Sequence, residues 1–251
     1  LLLGGLAVFI HHHKVFGEVK FKKLCLLFLI FPPLFENLNG GQISFLLLWI
    51  ITISFWLRKN GKNLESGLVL SLTAIKPNFL ILPFLAGIAD FGEFLAGKKP
   101  GVKSEKFPGF LAGIIAGLTI LLFLNYLLYG KGFLPTYAKF LMESESYEYG
   151  TRVRLNFNVS SILEKFSLEQ SKINKMNFFI NTFLLGIISL DFLLKPFLGG
   201  WKSWEKSLAK KSREEKFMLA TLFTPILNLH TMPVDMSVVI LPILFFGSYF
   251  A

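Results

Sequence analysis

Apolar runs recur down almost the whole chain, separated by short polar gaps, and the basic residues collect in alternate gaps. Segments of this kind fall at about Leu1 to Ile10, Leu24 to Phe35, Ile43 to Leu57, Leu64 to Ala89, Phe110 to Tyr129, Met176 to Leu194, Phe217 to Leu229 and Val234 to Phe250. The pattern predicts an all-α, polytopic membrane helix bundle, with residues 1–251 forming a single transmembrane domain. Several runs are shorter than the roughly 20 residues a straight crossing needs. Short runs imply thinned lipid, snorkelling flanks, or half-helices that face a polar cavity.

Leu64 to Ala89 is interrupted near its middle by Lys76-Pro77, and proline cannot continue the helical hydrogen-bond ladder. Two short helices forming a hairpin with Lys76 near the turn are expected; one long kinked helix is the alternative. The basic residues discriminate. With a hairpin, the loops His11 to Lys23, Arg58 to Asn63, Asp90 to Phe107 and Lys195 to Lys216 share one side, with four, three, four and seven Lys and Arg, 18 of the chain's 26. The positive-inside rule makes that side cytoplasmic. The opposite, outward side then receives Glu36 to Gln42, the Lys76 turn, Gly130 to Lys175, and His230 to Asp235. A kinked helix would invert everything after Ala89 and strand the basic Lys195 to Lys216 loop outside.

Composition sharpens the picture. Hydrophobic residues make up 53% of the chain, Phe alone occurs 29 times, only 17% is charged, and mean hydropathy is +0.58. A soluble fold of this length could not hide that surface. The net charge of +10 sits in short loops, where topology and anionic headgroups account for it. No basic stripe with interleaved aromatics appears, so nucleic acid is not an expected partner. The lone cysteine, Cys25, excludes an intrachain disulfide and reads as a small packed or lipid-facing residue. The chain opens on Leu1, inside an apolar run without a basic leader or cleavage site, and reads as an amino-truncated fragment beginning in the tail of a span.

The segment Gly130 to Lys175 is too long for a plain connection and rich in aromatics, among them Tyr137, Tyr147, Tyr149 and Phe157. It is expected to fold over the outer membrane surface, either as an interfacial anchor or as part of a binding site. Asn39, Gly40, Gly41 and Gln42 lie between two spans, where glycines permit a tight turn or close approach to a ligand. Lys76 is a lysine in an apolar hairpin, costly unless it snorkels, pairs with a carboxylate such as Glu36 or Asp235, or meets an anionic ligand such as a phosphate. His230 and Asp235 flank Pro233 at an outward boundary, suited to proton exchange and to a cation or sugar hydroxyl, or else to capping. Asp191 is expected to reach out of the bilayer or pair with Lys195. The run His11-His12-His13 lies in a basic loop without acidic or thiol company beyond Glu18, so no metal site is expected there, and no cofactor elsewhere. No phosphate-binding loop, nucleophile elbow or dinucleotide fingerprint occurs.

A resemblance emerges from Gly41-Gln42-Ile43-Ser44, the basic turn Arg58-Lys59-Asn60-Gly61-Lys62, and Ser66-Gly67-Leu68 leading to Ala74-Ile75-Lys76-Pro77. Together they resemble the central block of family 87 glycosyltransferases, multi-span enzymes of the GT-C class. Asn158 to Leu163, Thr224-Pro225, Asp235 and Leu241-Pro242 are similar to later stretches of that family, so the resemblance runs from about Asn39 to Pro242. It implies inverting transfer of a hexose, often mannose, from a polyprenyl-phosphate donor to a lipid or glycan acceptor on the outer face of the cytoplasmic membrane. It further implies an acidic catalytic base in a first outward loop that would precede Leu1, leaving the base unassigned here. Lys76 would then meet the carrier phosphate, Gln42 and Asn39 would bond sugar or phosphate oxygens, and His230 with Asp235 would line the acceptor side. A transporter or flippase for a lipid-linked saccharide is the alternative, since it too needs broken helices and buried cations, although no inverted repeat is evident. A non-catalytic scaffold subunit is the third.

Overall fold

The computed structural model describes residues 2–31, 44–76, 79, 81–95, 109–133, 135–136, 139, scattered positions of 176–187, 213–227 and 237–247. Among the described residues the regular structure is helical, without strands: α1 (Leu2–His12), α2 (Phe21–Ile30), α3 (Ser44–Lys59), α4 (Asn63–Ser71), α5 (Ile81–Leu95), α6 (Gly109–Tyr129), α7 (Arg213–Leu227) and α8 (Ile240–Gly247). A 3-10 turn, Leu72–Ile75, prolongs α4. Expected boundaries shift modestly. α5 continues past Ala89 to Leu95, because no proline intervenes before Pro100. α2 ends at Ile30, just ahead of Pro32-Pro33. α5 and α8 both open Ile-Leu-Pro, which puts Pro83 and Pro242 in first turns, where a missing N–H leaves no intrahelical bond unmade.

Only one helix among the described residues, Gly109–Tyr129, is long and apolar enough to cross a membrane. It spans about 31 Å at 1.5 Å per residue. The all-α expectation holds among the described residues, whereas the polytopic bundle expected from hydropathy is matched there by one helix of spanning length and three shorter apolar helices, Leu2–His12, Asn63–Ile75 and Ser237–Phe246.

The helices share a single core. Leu6 and Ile10 of α1, Leu47, Ile51 and Phe55 of α3, Leu70 of α4, Leu82 and Leu85 of α5, Phe110 and Ile114 of α6, Phe217 of α7 and Leu241 of α8 are all buried within it. The tightest crossing joins α4 to α6. A Cβ placed on Gly67 would run into the Phe110 carbonyl oxygen, one on Gly113 into the Leu64 carbonyl oxygen, and one on Gly117 into Ser71 Oγ. Small residues four apart on both helices, Gly67 with Ser71 and Gly113 with Gly117, let the backbones touch, which is the packing favoured where lipid removes the hydrophobic drive between helices. α3 is tied to α4 by a reciprocal serine pair. Ser54 Oγ donates to the Ser66 carbonyl at 2.9 Å, Ser66 Oγ donates to the Ser54 carbonyl at 2.7 Å, and the two hydroxyls lie 3.0 Å apart. Both serines are fully buried.

One end of the bundle gathers the flanks of the basic loops. Lys59 Nζ donates to the carbonyls of Lys14 and Val15 at 3.2 and 3.1 Å, joining the α3 end to the α1–α2 turn. Phe55 packs against Phe16, Phe217 and Phe245 with ring centroids 5.4, 5.7 and 5.5 Å away. At the surface of this end Lys14 Nζ donates to Glu18 Oε1 at 2.7 Å. That hydrogen bond, and then the charges themselves, raise the lysine's pKa and lower the glutamate's. The ring of His13 packs on Phe9 and Trp56, and His11 Nδ1 lies 3.1 Å from the Val19 carbonyl.

Candidate functional site

Lys76 marks the reversal between α4 and α5. Its backbone N–H donates to the Thr73 carbonyl at 3.0 Å, closing the 3-10 turn, and its own carbonyl accepts the Phe79 N–H at 2.8 Å. Two successive tight turns therefore fold the chain back on itself, and Lys76 sits between them with extended dihedrals, φ −108° and ψ 104°. Phe79 is fully buried and anchors the turn from below, with Lys76 Nζ 5.9 Å from its ring centroid. The side chain of Lys76 is half-buried.

The depth of this turn follows from helix registers. α4 runs alongside α6 in the same direction, with Leu64 at Gly113 and Ser71 at Gly117. Gly117 lies about 12 Å from the start of α6, and the 3-10 turn adds at most about 8 Å more. α5 comes back the other way: Gly87 faces Leu111 and Ile114, while Ile81 and Leu118 line the same groove. Lys76 consequently lies about 14 to 23 Å along the 31 Å of α6, between its middle and about three quarters of its length. α4 and α5 thus run in opposite directions, as the hairpin expectation has it, and the turn between them stops short of the far end of α6.

Two further chain ends arrive at the same level. Ser54 is level with Ser66 through their hydroxyl pair, so Ser44, ten residues earlier, lies about 15 Å farther from the basic end. From Ser66 the same distance leads to Ile75, and α3 packs against the 3-10 turn accordingly. Phe217 and Phe245 both contact Phe55, and the residues that follow in α7 and precede α8, such as Thr224 and Val238, are buried in the core. Leu227 and Ser237, the two ends of the α7–α8 connection, therefore also lie about 13 to 15 Å inward from Phe55. The start of α3, Lys76, the end of α7 and Ser237 ahead of α8 thus lie at about one level along the bundle, away from the basic end.

Of the residues singled out from sequence, Lys76 is placed by the structure. Asn39, Gln42, His230 and Asp235 lie outside the described residues, as do Glu36, Asp191 and most of Gly130 to Lys175. Gln42 immediately precedes α3, and His230 and Asp235 belong to the α7–α8 connection, so each belongs to a segment whose described end is at the level of Lys76.

Arg58 is the charged residue that sequence reasoning misplaced. It was expected in a cytoplasmic loop, but it is the penultimate residue of α3, only 7% exposed, with its guanidinium 4.0 Å from the Phe110 ring centroid. The planar, weakly hydrated guanidinium can lie on an aromatic face where an ammonium would stay in water. It holds the α3 end against the start of α6. The only cue in the sequence is that Arg58 follows the apolar run without a break.

The described residues thus form short helices around a half-buried lysine, with one helix long and apolar enough to cross a membrane. The model of glycosyltransferase family 87 matches residues 1–167, about two thirds of the chain, and the protein belongs to that family. It is accordingly a glycosyltransferase. The match takes in Gly41-Gln42, Lys76-Pro77 and Asn158 to Leu163, whereas Thr224-Pro225, Asp235 and Leu241-Pro242 lie beyond it. Neither a curated protein nor a solved structure matches the chain.

Proposed function

We propose that this glycosyltransferase is a multi-span enzyme of the GT-C type in the cytoplasmic membrane, moving a hexose, mannose first among them, from a polyprenyl-phosphate donor to a lipid or glycan acceptor on the outer face. The observation that carries this reading is the depth of Lys76. A lysine in a turn level with the apolar helix α6, where described ends of other segments also lie, is a candidate for meeting an anionic ligand as well as a carboxylate of the chain. In this reading that anion is the phosphate of the lipid-linked donor. In this reading the basic end of the bundle is cytoplasmic.

The reaction inverts the anomeric carbon. The acceptor hydroxyl oxygen attacks it as its proton passes to a base, the bond from that carbon to the phosphate oxygen breaks, and polyprenyl phosphate leaves with an additional negative charge. Lys76 would stabilise that charge, which is greater in the transition state than in the bound donor. Gln42 and Asn39 would bond sugar or phosphate oxygens, and His230 with Asp235 would line the acceptor side. The base is assigned to none of them.

The test is transfer of labelled hexose from polyprenyl-phosphate mannose by the protein in membranes, with Lys76→Ala and Lys76→Arg alongside. Loss of a transition-state contact to the leaving phosphate predicts a fall of about 10²-fold or more in kcat for Lys76→Ala, and partial recovery in Lys76→Arg. Unchanged kcat in a Lys76→Ala protein of normal membrane abundance would remove Lys76 from the site.

A further inference from the structure

The turn from α1 into α2 is firmly held. Val15 and Phe16 are buried in the core, and Lys59 Nζ clamps the carbonyls of Lys14 and Val15. Lys14 is kept at φ +46°, a conformation uncommon outside glycine, and the His11 ring lies 5.6 Å from that of Phe21 across the turn. What this frame presents outward is basic. Lys20, Lys22 and Lys23 are exposed and make no ion pair among the described residues, while Glu18, the one acid between His11 and Lys23, is taken by Lys14. Cations in the first turn of α2 oppose its dipole, so helix stability gives no reason for them. Two rows along α2 start from these lysines. Lys22 is followed by Leu26 and Leu29 at i+4 and i+7, and Lys23 by Leu27 and Ile30 at the same spacing. Leu26, Leu29 and Ile30 are each more than half exposed, whereas Leu24 and Phe28 on the opposite face are buried in the core.

We propose that this face of α2 binds an anionic diacyl phospholipid of the leaflet at the basic end, with the headgroup phosphate among Lys20, Lys22 and Lys23 and an acyl chain along Leu26, Leu29 and Ile30. Charge selects the head, because cations held at a membrane surface draw anionic lipid to them. Length selects the tail. The acyl chain of one leaflet covers half of the ~30 Å hydrocarbon layer, and the distance from Lys22 to Ile30, about 12 Å, falls within that half. An acidic peptide would match the lysines but leave the apolar rows below them uncovered; a phospholipid matches both. The proposal rests on the membrane placement given above and not on the donor chemistry.

The test uses the full chain purified in a nonionic detergent and mixed with phosphatidylglycerol or phosphatidylcholine of the same acyl composition, with bound lipid counted by native mass spectrometry. Phosphatidylglycerol is expected to be retained about fivefold more than phosphatidylcholine. A variant carrying Lys20→Gln, Lys22→Gln and Lys23→Gln loses that preference, and Lys131→Gln, beyond the far end of α6, keeps it. Should the triple variant not fold, Lys22→Gln alone, expected to lower the preference about twofold, takes its place. Glycerol phosphate in excess leaves the bound lipid in place, because the apolar rows hold the chain. Equal retention of the two lipids, a preference untouched by the lysine substitutions, or displacement by glycerol phosphate overturns the proposal. None of these outcomes bears on sugar transfer, which the Lys76 variants test separately.

Discussion

Gly113→Ala is the perturbation whose outcome is most tightly set by the packing. The added methyl would run into the Leu64 carbonyl oxygen, a backbone atom that cannot rotate away, so α4 and α6 must separate by about 1 Å. A gap of 0.5–1 Å already forfeits a quarter to a half of each dispersion contact, and Phe110, Ile114 and Leu70 depend on the core beside this crossing. Overpacking of this kind costs about 1–3 kcal/mol. Against it stands the better helix propensity of alanine, about 1 kcal/mol. Because the obstacle is backbone, the upper part of the overpacking range applies, and a net loss of about 1–2 kcal/mol is expected. For a chain of this size that is a fall of about 2–8 °C in apparent Tm. Gly4→Ala is the control: nothing lies within 4 Å of its added methyl, so propensity acts alone and Tm rises slightly. Gly67→Ala should behave like Gly113→Ala. The double variant should cost less than the sum, because one separation relieves both clashes. Thermal unfolding in detergent, followed by tryptophan fluorescence, measures all four. A Gly113→Ala protein at least as stable as Gly4→Ala would refute the close crossing.

Ser54→Ala and Ser66→Ala should each destabilise by about 0.6–1.7 kcal/mol, the range for hydrogen bonds between membrane helices, and the double variant should show positive coupling in the same assay. Arg58→Lys keeps the charge but loses the flat contact with Phe110; a loss of about 1–2 kcal/mol is expected, with Phe110→Leu removing most of the difference between Arg and Lys. In a Cys25→Ala background, Lys62→Cys and Lys131→Cys should react with membrane-impermeant maleimides from opposite faces of the membrane, since one follows α3 at the basic end and the other follows the far end of α6. Labelling from the same face would contradict the topology.

Much of the helical course was legible in the order of residues. Hydropathy located α3 and α6 to within a residue or two, because long apolar runs bounded by polar turns leave little choice. Lys76-Pro77 announced a reversal, since the residue before a proline avoids helical geometry and proline itself cannot extend the ladder. The family was likewise visible in Gly41-Gln42 and Lys76-Pro77 at their separation. The depth of Lys76 was not. A turn between two apolar stretches looks the same however far it extends, and only the register of Ser71 on Gly117 sets its height along α6. Nor could order along the chain reveal that Arg58 is buried, because its environment is made by Phe110, 52 positions away. Local sequence fixes periodicity and turns through short-range sterics and hydrogen bonding. Which helix end meets which, and how deep a charge lies, depends on contacts between distant segments that exist only once the bundle has packed.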